Sequence, residues 1–281
     1  MKAKDNYYSG NNCNKLRLFF ILAFVISWLV WLPILLNKNL HMNIPLLPYQ
    51  YYLASFGPML SAFLVSFIYG GPIELSSFIK QNFNFKLKIR WYIFAFVSPL
   101  GLFLVAALIG LLMGEPWPNI TKLGISQALP GLGALESILF WILTYGLGEE
   151  TGWRGYALPE LQKRFTSINA GAIIGFMWCS WHLPAFFMNE NYMSMGIMEK
   201  LGWAISLLFG SMFLTWLYNS SGRSVIVVGV WHALFDAFIT SDISAGITGG
   251  VMSAAVIIFS IFIMKTQGPY LKYSQPLKKY K

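Results

Sequence analysis

Charged residues are scarce in this chain. Only 11% of its 281 residues are charged, whereas a soluble domain carries about 25%. Two stretches, 18–36 and 91–113, contain no charged residue at all, and each is long enough to cross a hydrocarbon core about 30 Å thick. The composition therefore excludes an ordinary soluble globular protein and predicts an all-α, polytopic membrane protein.

Cysteine and histidine are also rare, with two cysteines and three histidines in the chain. Cys13 and Cys179 lie in very different contexts, so they indicate neither a disulfide framework nor a CxxC metal site. The zinc-protease pattern HExxH is absent. The sequence shows no internal repeat, which argues against the two matching halves of many secondary transporters.

Eight apolar segments predict membrane helices. They cover residues 16–36, 51–69, 91–113, 132–150, 169–188, 201–219, 224–240 and 245–264. The first is expected to be a retained helix, because it lacks the small-residue cleavage pattern of a signal peptide. The fourth and seventh give the weakest signal, because they carry polar residues. The stretch 70–90 is long enough for an amphipathic helix on the membrane surface.

Basic residues are unevenly distributed between these segments. With the N-terminus in the cytoplasm, 17 of the 20 Lys and Arg residues fall in cytoplasmic segments, and the exceptions are Lys38, Lys122 and Lys200. Basic loops stay preferentially on the cytoplasmic side. We therefore expect an integral protein of the plasma membrane with both termini in the cytoplasm. The net charge of +9 is explained by this orientation, so nucleic acid is not expected as a partner.

Ionisable residues inside membrane helices cost about 2.5–3.5 kcal/mol each and commonly serve a function. In the stretch EETGWR, Glu149 and Glu150 would point about 100° apart on an α-helix. Glu150 and Arg154 share a face and can pair, which leaves Glu149 free to face a cavity open to the cytoplasm. The alternative is a helix end at the cytoplasmic interface, where such charges cost little.

The other ionisable residues include both histidines that lie within apolar segments. His182 follows Trp178 by four residues and precedes Pro184, which is expected to bend the helix. His232 and Asp236 are four residues apart and share a helix face. Each histidine could be a packing residue. Together with a glutamate, however, these groups can activate a water molecule, either alone or around Zn²⁺.

The three motifs resemble those of the CAAX protease and bacteriocin-processing family of intramembrane endopeptidases, which includes the type II CAAX prenyl endopeptidases. EETGWR resembles the EExxxR motif of that family. The pair Trp178 and His182 resembles its aromatic-xxx-His motif, and the pair His232 and Asp236 resembles its His-xxx-Asn/Asp motif. The resemblance covers roughly residues 129–264. The catalytic set that it implies is Glu149, Glu150, Arg154, His182, His232 and Asp236.

The resemblance also implies roles and partners. Glu149 would be the general base, while Glu150 and Arg154 would support the site. His182 would bind the water or a metal, and His232 and Asp236 would form the oxyanion-stabilising or metal-binding side. A metal-free mechanism and a zinc ion held by His182 and His232 are both compatible with this residue set. The implied partners are a peptide or protein substrate at the membrane and the lipid bilayer.

Two positions depart from the family pattern. Trp178 stands where phenylalanine is common, a change expected to be harmless. Asp236 stands where the prenyl proteases usually carry asparagine. Its negative charge beside His232 weakens an oxyanion-binding role and favours a metal-binding or ring-orienting role. The departure at Asp236 also argues against assuming a prenylated substrate.

These observations divide the chain into N-terminal helices with a cytoplasmic loop over 1–128, a catalytic membrane core over 129–264, and a basic cytoplasmic tail over 265–281. The tail could contact anionic lipid. Two alternatives to an intramembrane endopeptidase stay open. One is a non-catalytic immunity or scaffold protein on the same fold. The other is a proton-coupled transporter in which the same ionisable residues form a relay.

Overall fold

The computed structural model describes residues 2–83, 85, 87–244, 246–269 and 271, with side chains from residue 14 onward. Within these ranges the chain forms helices and no strand, which confirms the all-α polytopic architecture. Most of the predicted basic tail, residues 272–281, lies outside the described residues, as do Lys86 and the side chain of Cys13.

Eleven α-helices are present in the described residues. They are α1 Lys2–Leu40, α2 Gln50–Leu53, α3 Phe56–Asn82, α4 Ile89–Leu112, α5 Ala134–Trp141, α6 Leu158–Gln162, α7 Ser167–Trp181, α8 Glu190–Ser194, α9 Ile197–Ser220, α10 Val225–Thr240 and α11 Thr248–Gln267. Two π-helical segments, Ile142–Glu149 and Thr151–Ala157, join α5 to α6. Short 3₁₀ turns occupy Ile120–Lys122 and Leu183–Phe187.

Six stretches of the described chain are long and apolar enough to span a membrane. They are Asn14–Leu40, Gln50–Asn82, Ile89–Leu112, Ser167–Phe187, Ile197–Ser220 and Thr248–Gln267. The other two predicted segments are helical as well. The fourth forms the composite helix 134–162, which carries the charged motif, and the seventh forms α10, which has only 16 residues. Eight complete membrane spans therefore stay a prediction.

The stretch after residue 70 is a bent continuation of α3. The helix kinks at Gly71, where φ is 66°, and continues from Pro72 to Asn82. Glycine tolerates this positive φ without a steric penalty, and proline suits the first turn of the helix that follows. Helical structure is thus present where an amphipathic helix was expected, but as part of α3.

Contacts between loops define two ends of the helix bundle. At one end, the Ile168 amide donates to the Pro269 carbonyl at 3.1 Å, and Arg17 shares a hollow with Lys163. We call this the termini end, because α1 begins and α11 ends there. It comprises residues 14–17, 74–83, 87–90, 158–167, 221–224 and 265–269.

The opposite end is built from the longer loops. The Tyr49 hydroxyl donates to the Pro130 carbonyl at 2.6 Å, and the Asp242 amide donates to the Ile125 carbonyl at 2.8 Å. Lys38 pairs with Glu190 at 3.1 Å. We call this the loop end; it comprises residues 38–49, 113–133, 188–200 and 240–247.

A close approach of two backbone segments, at Gly146 and Gly229, sets the position of α10. A Cβ atom added at Gly146 in the first π-segment would lie 2.5 Å from the carbonyl oxygen of Gly229 in α10. Only two glycines allow the backbones to come this close. The approach places His232, one turn further along α10, beside the acidic motif.

Candidate active site

The acidic motif lies at the junction of the two π-helical segments. π-Helical turns are rare and occur frequently at functional sites. Glu149 ends the first segment and Arg154 lies within the second. The motif is midway along the composite helix 134–162, so its interpretation as charges at a helix end is wrong. Arg154 is 0% exposed and lies within this helix. Its assignment to a cytoplasmic segment is therefore wrong.

Glu150 and Arg154 form the predicted pair. Arg154 Nη1 lies 2.9 Å from Glu150 Oε1, and both side chains are completely buried. The same carboxylate oxygen lies 2.9 Å from His232 Nδ1. A buried charge is tolerated only when it is well partnered. Glu150 is therefore held between two basic side chains, and its contact with His232 joins α10 to the composite helix.

Glu149 faces the other way, into a cavity. Its Oε2 accepts a hydrogen bond from Trp178 Nε1 at 2.6 Å, and its Oε1 accepts one from Ser55 Oγ at 3.2 Å. The residue is 2% exposed and lies in the cavity wall. Two donors from α7 and from the turn before α3 thus fix the carboxylate in place.

Trp178 connects all three motifs. Its indole N–H binds Glu149, and its ring lies 4.9 Å from the Arg154 guanidinium carbon. The His232 ring meets it edge-on, with centroids 5.1 Å apart. Its carbonyl oxygen accepts a hydrogen bond from His182 Nδ1 at 2.8 Å. A phenylalanine here could not donate to Glu149, so the expectation that tryptophan is a harmless replacement overlooked this bond.

His182 lies just beyond α7. The helix ends at Trp181, and a 3₁₀ turn containing Pro184 follows, so His182 lies inside the apolar span Ser167–Phe187 but at the interruption of its helix. The Trp178 carbonyl can only accept a hydrogen bond, so Nδ1 must carry the proton. In the neutral ring this leaves the Nε2 lone pair available at the cavity wall.

His232 lies between two carboxylates. Its Nδ1 is 2.9 Å from Glu150 Oε1, and its Nε2 is 3.4 Å from Asp236 Oδ2. Carboxylates accept hydrogen bonds, so this arrangement suits an imidazole that is protonated on both nitrogens. Asp236 is thus placed to orient the ring, one of the roles suggested by its sequence spacing.

The geometry does not fit a zinc ion held by His182 and His232. A metal-binding imidazole needs a free ring nitrogen, and both nitrogens of His232 already face carboxylate oxygens. Among the described residues, moreover, no three His, Cys, Asp or Glu side chains are grouped as a metal site requires.

The cavity has a volume of about 230 Å³. Glu149, His182, His232 and Asp236 all line it, whereas Glu150 and Arg154 do not. Four of the six predicted residues therefore share one wall. Glu150 and Arg154 contact residues of that wall: Glu150 contacts His232, and Arg154 contacts Trp178.

Comparison with known proteins agrees with the motifs. A family model described as type II CAAX prenyl endopeptidase Rce1-like matches residues 131–238. A protein named CAAX prenyl protease 2, from Methanococcus maripaludis, is 25% identical over 261 residues, which cover 86% of this chain and 93% of that protein. The chain is therefore similar to the type II CAAX prenyl endopeptidases, as its motifs indicated. These similarities support the activity class of an intramembrane endopeptidase.

The family motifs do not account for the whole cavity. Trp31, Tyr51 and Ser55 come from the N-terminal third of the chain and also line it. Nothing in the sequence distinguishes Ser55 from the other serines in apolar helices, so sequence reasoning missed its bond to Glu149. Trp31 and Tyr51 belong to an aromatic pattern that is equally typical of lipid-facing positions.

Proposed function

We propose that this protein hydrolyses a peptide bond of a membrane-associated peptide or protein with a water molecule activated by Glu149. One observation carries the proposal: Glu149 is the member of the acidic pair that faces the cavity, while Glu150 is occupied by Arg154 and His232. A carboxylate that reaches a cavity and has no cationic partner of its own is suited to accept a proton.

The reaction follows from the placement of these groups. Water donates one proton to the Glu149 carboxylate while its oxygen attacks the carbonyl carbon of the scissile bond. His182 Nε2 accepts a hydrogen bond from the second water proton and so orients the attack. The positive charge of the protonated His232 ring stabilises the oxyanion that develops. When the C–N bond breaks, protonated Glu149 returns its proton to the leaving amine.

We propose that this chemistry needs no metal ion. Carboxylate oxygens lie 2.9 Å from Nδ1 and 3.4 Å from Nε2 of His232, and this proximity supports the assignment. Purified protein treated with EDTA or 1,10-phenanthroline should therefore keep its activity. Loss of activity that is restored by added zinc would instead assign the water activation to a metal centre.

Three large aromatic residues line the cavity close to His182 and suit an uncharged substrate segment: Trp31, Trp181 and Trp203. The similar archaeal protein is named a CAAX prenyl protease. We leave prenylation out of the proposal, because Asp236 stands where the prenyl proteases usually carry asparagine.

The direct test is to identify the cleaved peptide. Membrane and secreted peptides should be compared between cells with the intact protein, cells without it, and cells that carry Glu149→Gln. New peptide termini should appear only with the intact protein. An immunity or scaffold function would instead leave the peptides unchanged in all three strains, and the protective or binding effect would survive Glu149→Gln.

A further inference from the structure

The cavity is reached from the loop end of the bundle. Its outermost lining residues are Ala128, Asn191 and Thr240, which are exposed. All three lie in or beside the loops that form that end. None of the lining residues belongs to the termini end as defined above. The lining residues thus place the mouth at the end opposite the termini, whereas the sequence led us to expect a cavity open to the cytoplasm on the side of the termini.

The two ends differ in charge. Among residues with described side chains, the termini end carries nine basic residues and two acidic ones. The basic residues are Lys15, Arg17, Lys80, Lys88, Arg90, Lys163, Arg164, Arg223 and Lys265. The loop end carries three basic residues, Lys38, Lys122 and Lys200, and four acidic ones, Glu115, Glu190, Glu199 and Asp242. Buried Arg154 belongs to neither end, so the difference in charge between the two ends does not depend on it.

Basic loops stay on the cytoplasmic side of a membrane protein, so the termini end should face the cytoplasm. We propose that the active-site cavity opens to the extracytoplasmic face, and that its substrates are peptide segments presented on that side. This rests on the proposed protease function and names its substrate class: exported peptides, or the outer segments of membrane-anchored proteins.

The chemistry of the cavity narrows that class further. Its mouth offers uncharged hydrogen-bonding side chains, Asn189, Asn191 and Thr240, which suit a peptide backbone. Deeper in the cavity lie aromatic rings and the carboxylates of Glu149 and Asp236. Acidic residues beside the scissile bond would be repelled by these carboxylates, so the segment that enters should carry no acidic residue there.

Thiol labelling on intact cells tests the direction of the opening. In a background with Cys13→Ser and Cys179→Ala, single cysteines are introduced as Asn191→Cys at the mouth, Lys122→Cys elsewhere on the loop end, and Lys163→Cys at the termini end. A membrane-impermeant maleimide should label the first two in intact cells and Lys163→Cys only after permeabilisation. The reverse pattern would overturn the proposal. So would labelling of Lys122→Cys without labelling of Asn191→Cys.

This test is independent of proteolysis. The labelling pattern should be the same when Glu149→Gln is added, because that change preserves the shape of the side chain. If labelling follows the expectation but no peptide is cleaved, the proposed hydrolysis fails while the direction of the opening stands. If cleavage occurs but labelling is reversed, the extracytoplasmic substrate class fails instead.

Discussion

The hydrogen bond from Trp178 to Glu149 should have a measurable catalytic effect. Trp178→Phe keeps an aromatic ring beside Arg154 and His232 but removes the Nε1 donor, which lies 2.6 Å from Glu149 Oε2. A hydrogen bond to a charged group contributes about 1.5–3 kcal/mol. Because about 1.4 kcal/mol corresponds to a factor of ten, we expect kcat/KM to fall about 10- to 150-fold.

The other donor to Glu149 supplies an internal comparison. Ser55 Oγ lies 3.2 Å from Oε1, a longer and weaker contact, so Ser55→Ala should lower kcat/KM less than Trp178→Phe. Both donors act on one carboxylate, so the effects of the double variant should not be additive. These variants require an assay of peptide cleavage in detergent together with thermal unfolding.

A matched control is Trp91→Phe, which changes a tryptophan that does not line the cavity. It should leave kcat/KM unchanged. If Trp178→Phe is folded and cleaves within twofold of the unaltered protein, the indole N–H has no catalytic role, and Glu149 is positioned by other contacts.

Two further predictions concern stability and packing. Arg154→Met leaves buried Glu150 without one of its two basic partners, and loss of one partner of a buried pair costs about 3–5 kcal/mol. The midpoint of thermal unfolding should fall sharply, and an unchanged midpoint would show that His232 alone can neutralise Glu150. Gly229→Ala places a Cβ 2.9 Å from the Gly146 backbone, so α10 must move and the rate of peptide cleavage should drop. The control Gly101→Ala meets no atom within 4 Å and should leave that rate unchanged.

The sequence alone predicted the helices and the contacts within each motif. Apolar segments predict membrane helices well, because the backbone in lipid must satisfy its hydrogen bonds internally. The four-residue spacing anticipated the contacts of Glu150 with Arg154 and of His232 with Asp236. The convergence of the three motifs on one cavity came from family resemblance, since no local pattern encodes it.

The errors also have physical causes. Apolar periodicity does not reveal a change from α- to π-helical hydrogen bonding, and that change places the acidic motif midway along a longer helix. A count of basic residues cannot distinguish a buried Arg154 from a loop arginine. The end of α7 before His182 and the bond from Ser55 to Glu149 depend on tertiary packing. The residues at the mouth of the cavity are set by the packing of the loops, which no local sequence pattern records.

Substitution of Glu149 by glutamine tests the central claim most directly. Glu149→Gln preserves the size of the side chain. Its amide oxygen can still accept from Trp178 Nε1 and its NH2 group can donate to Ser55 Oγ, but an amide cannot accept the proton of the attacking water. Loss of a general base costs about 10²–10⁴-fold in rate. The matched control is Glu136→Gln, an exposed glutamate on the same composite helix, which should cleave normally. We predict that folded Glu149→Gln loses peptide cleavage by that factor; near-normal cleavage would contradict the assignment of Glu149 as the base.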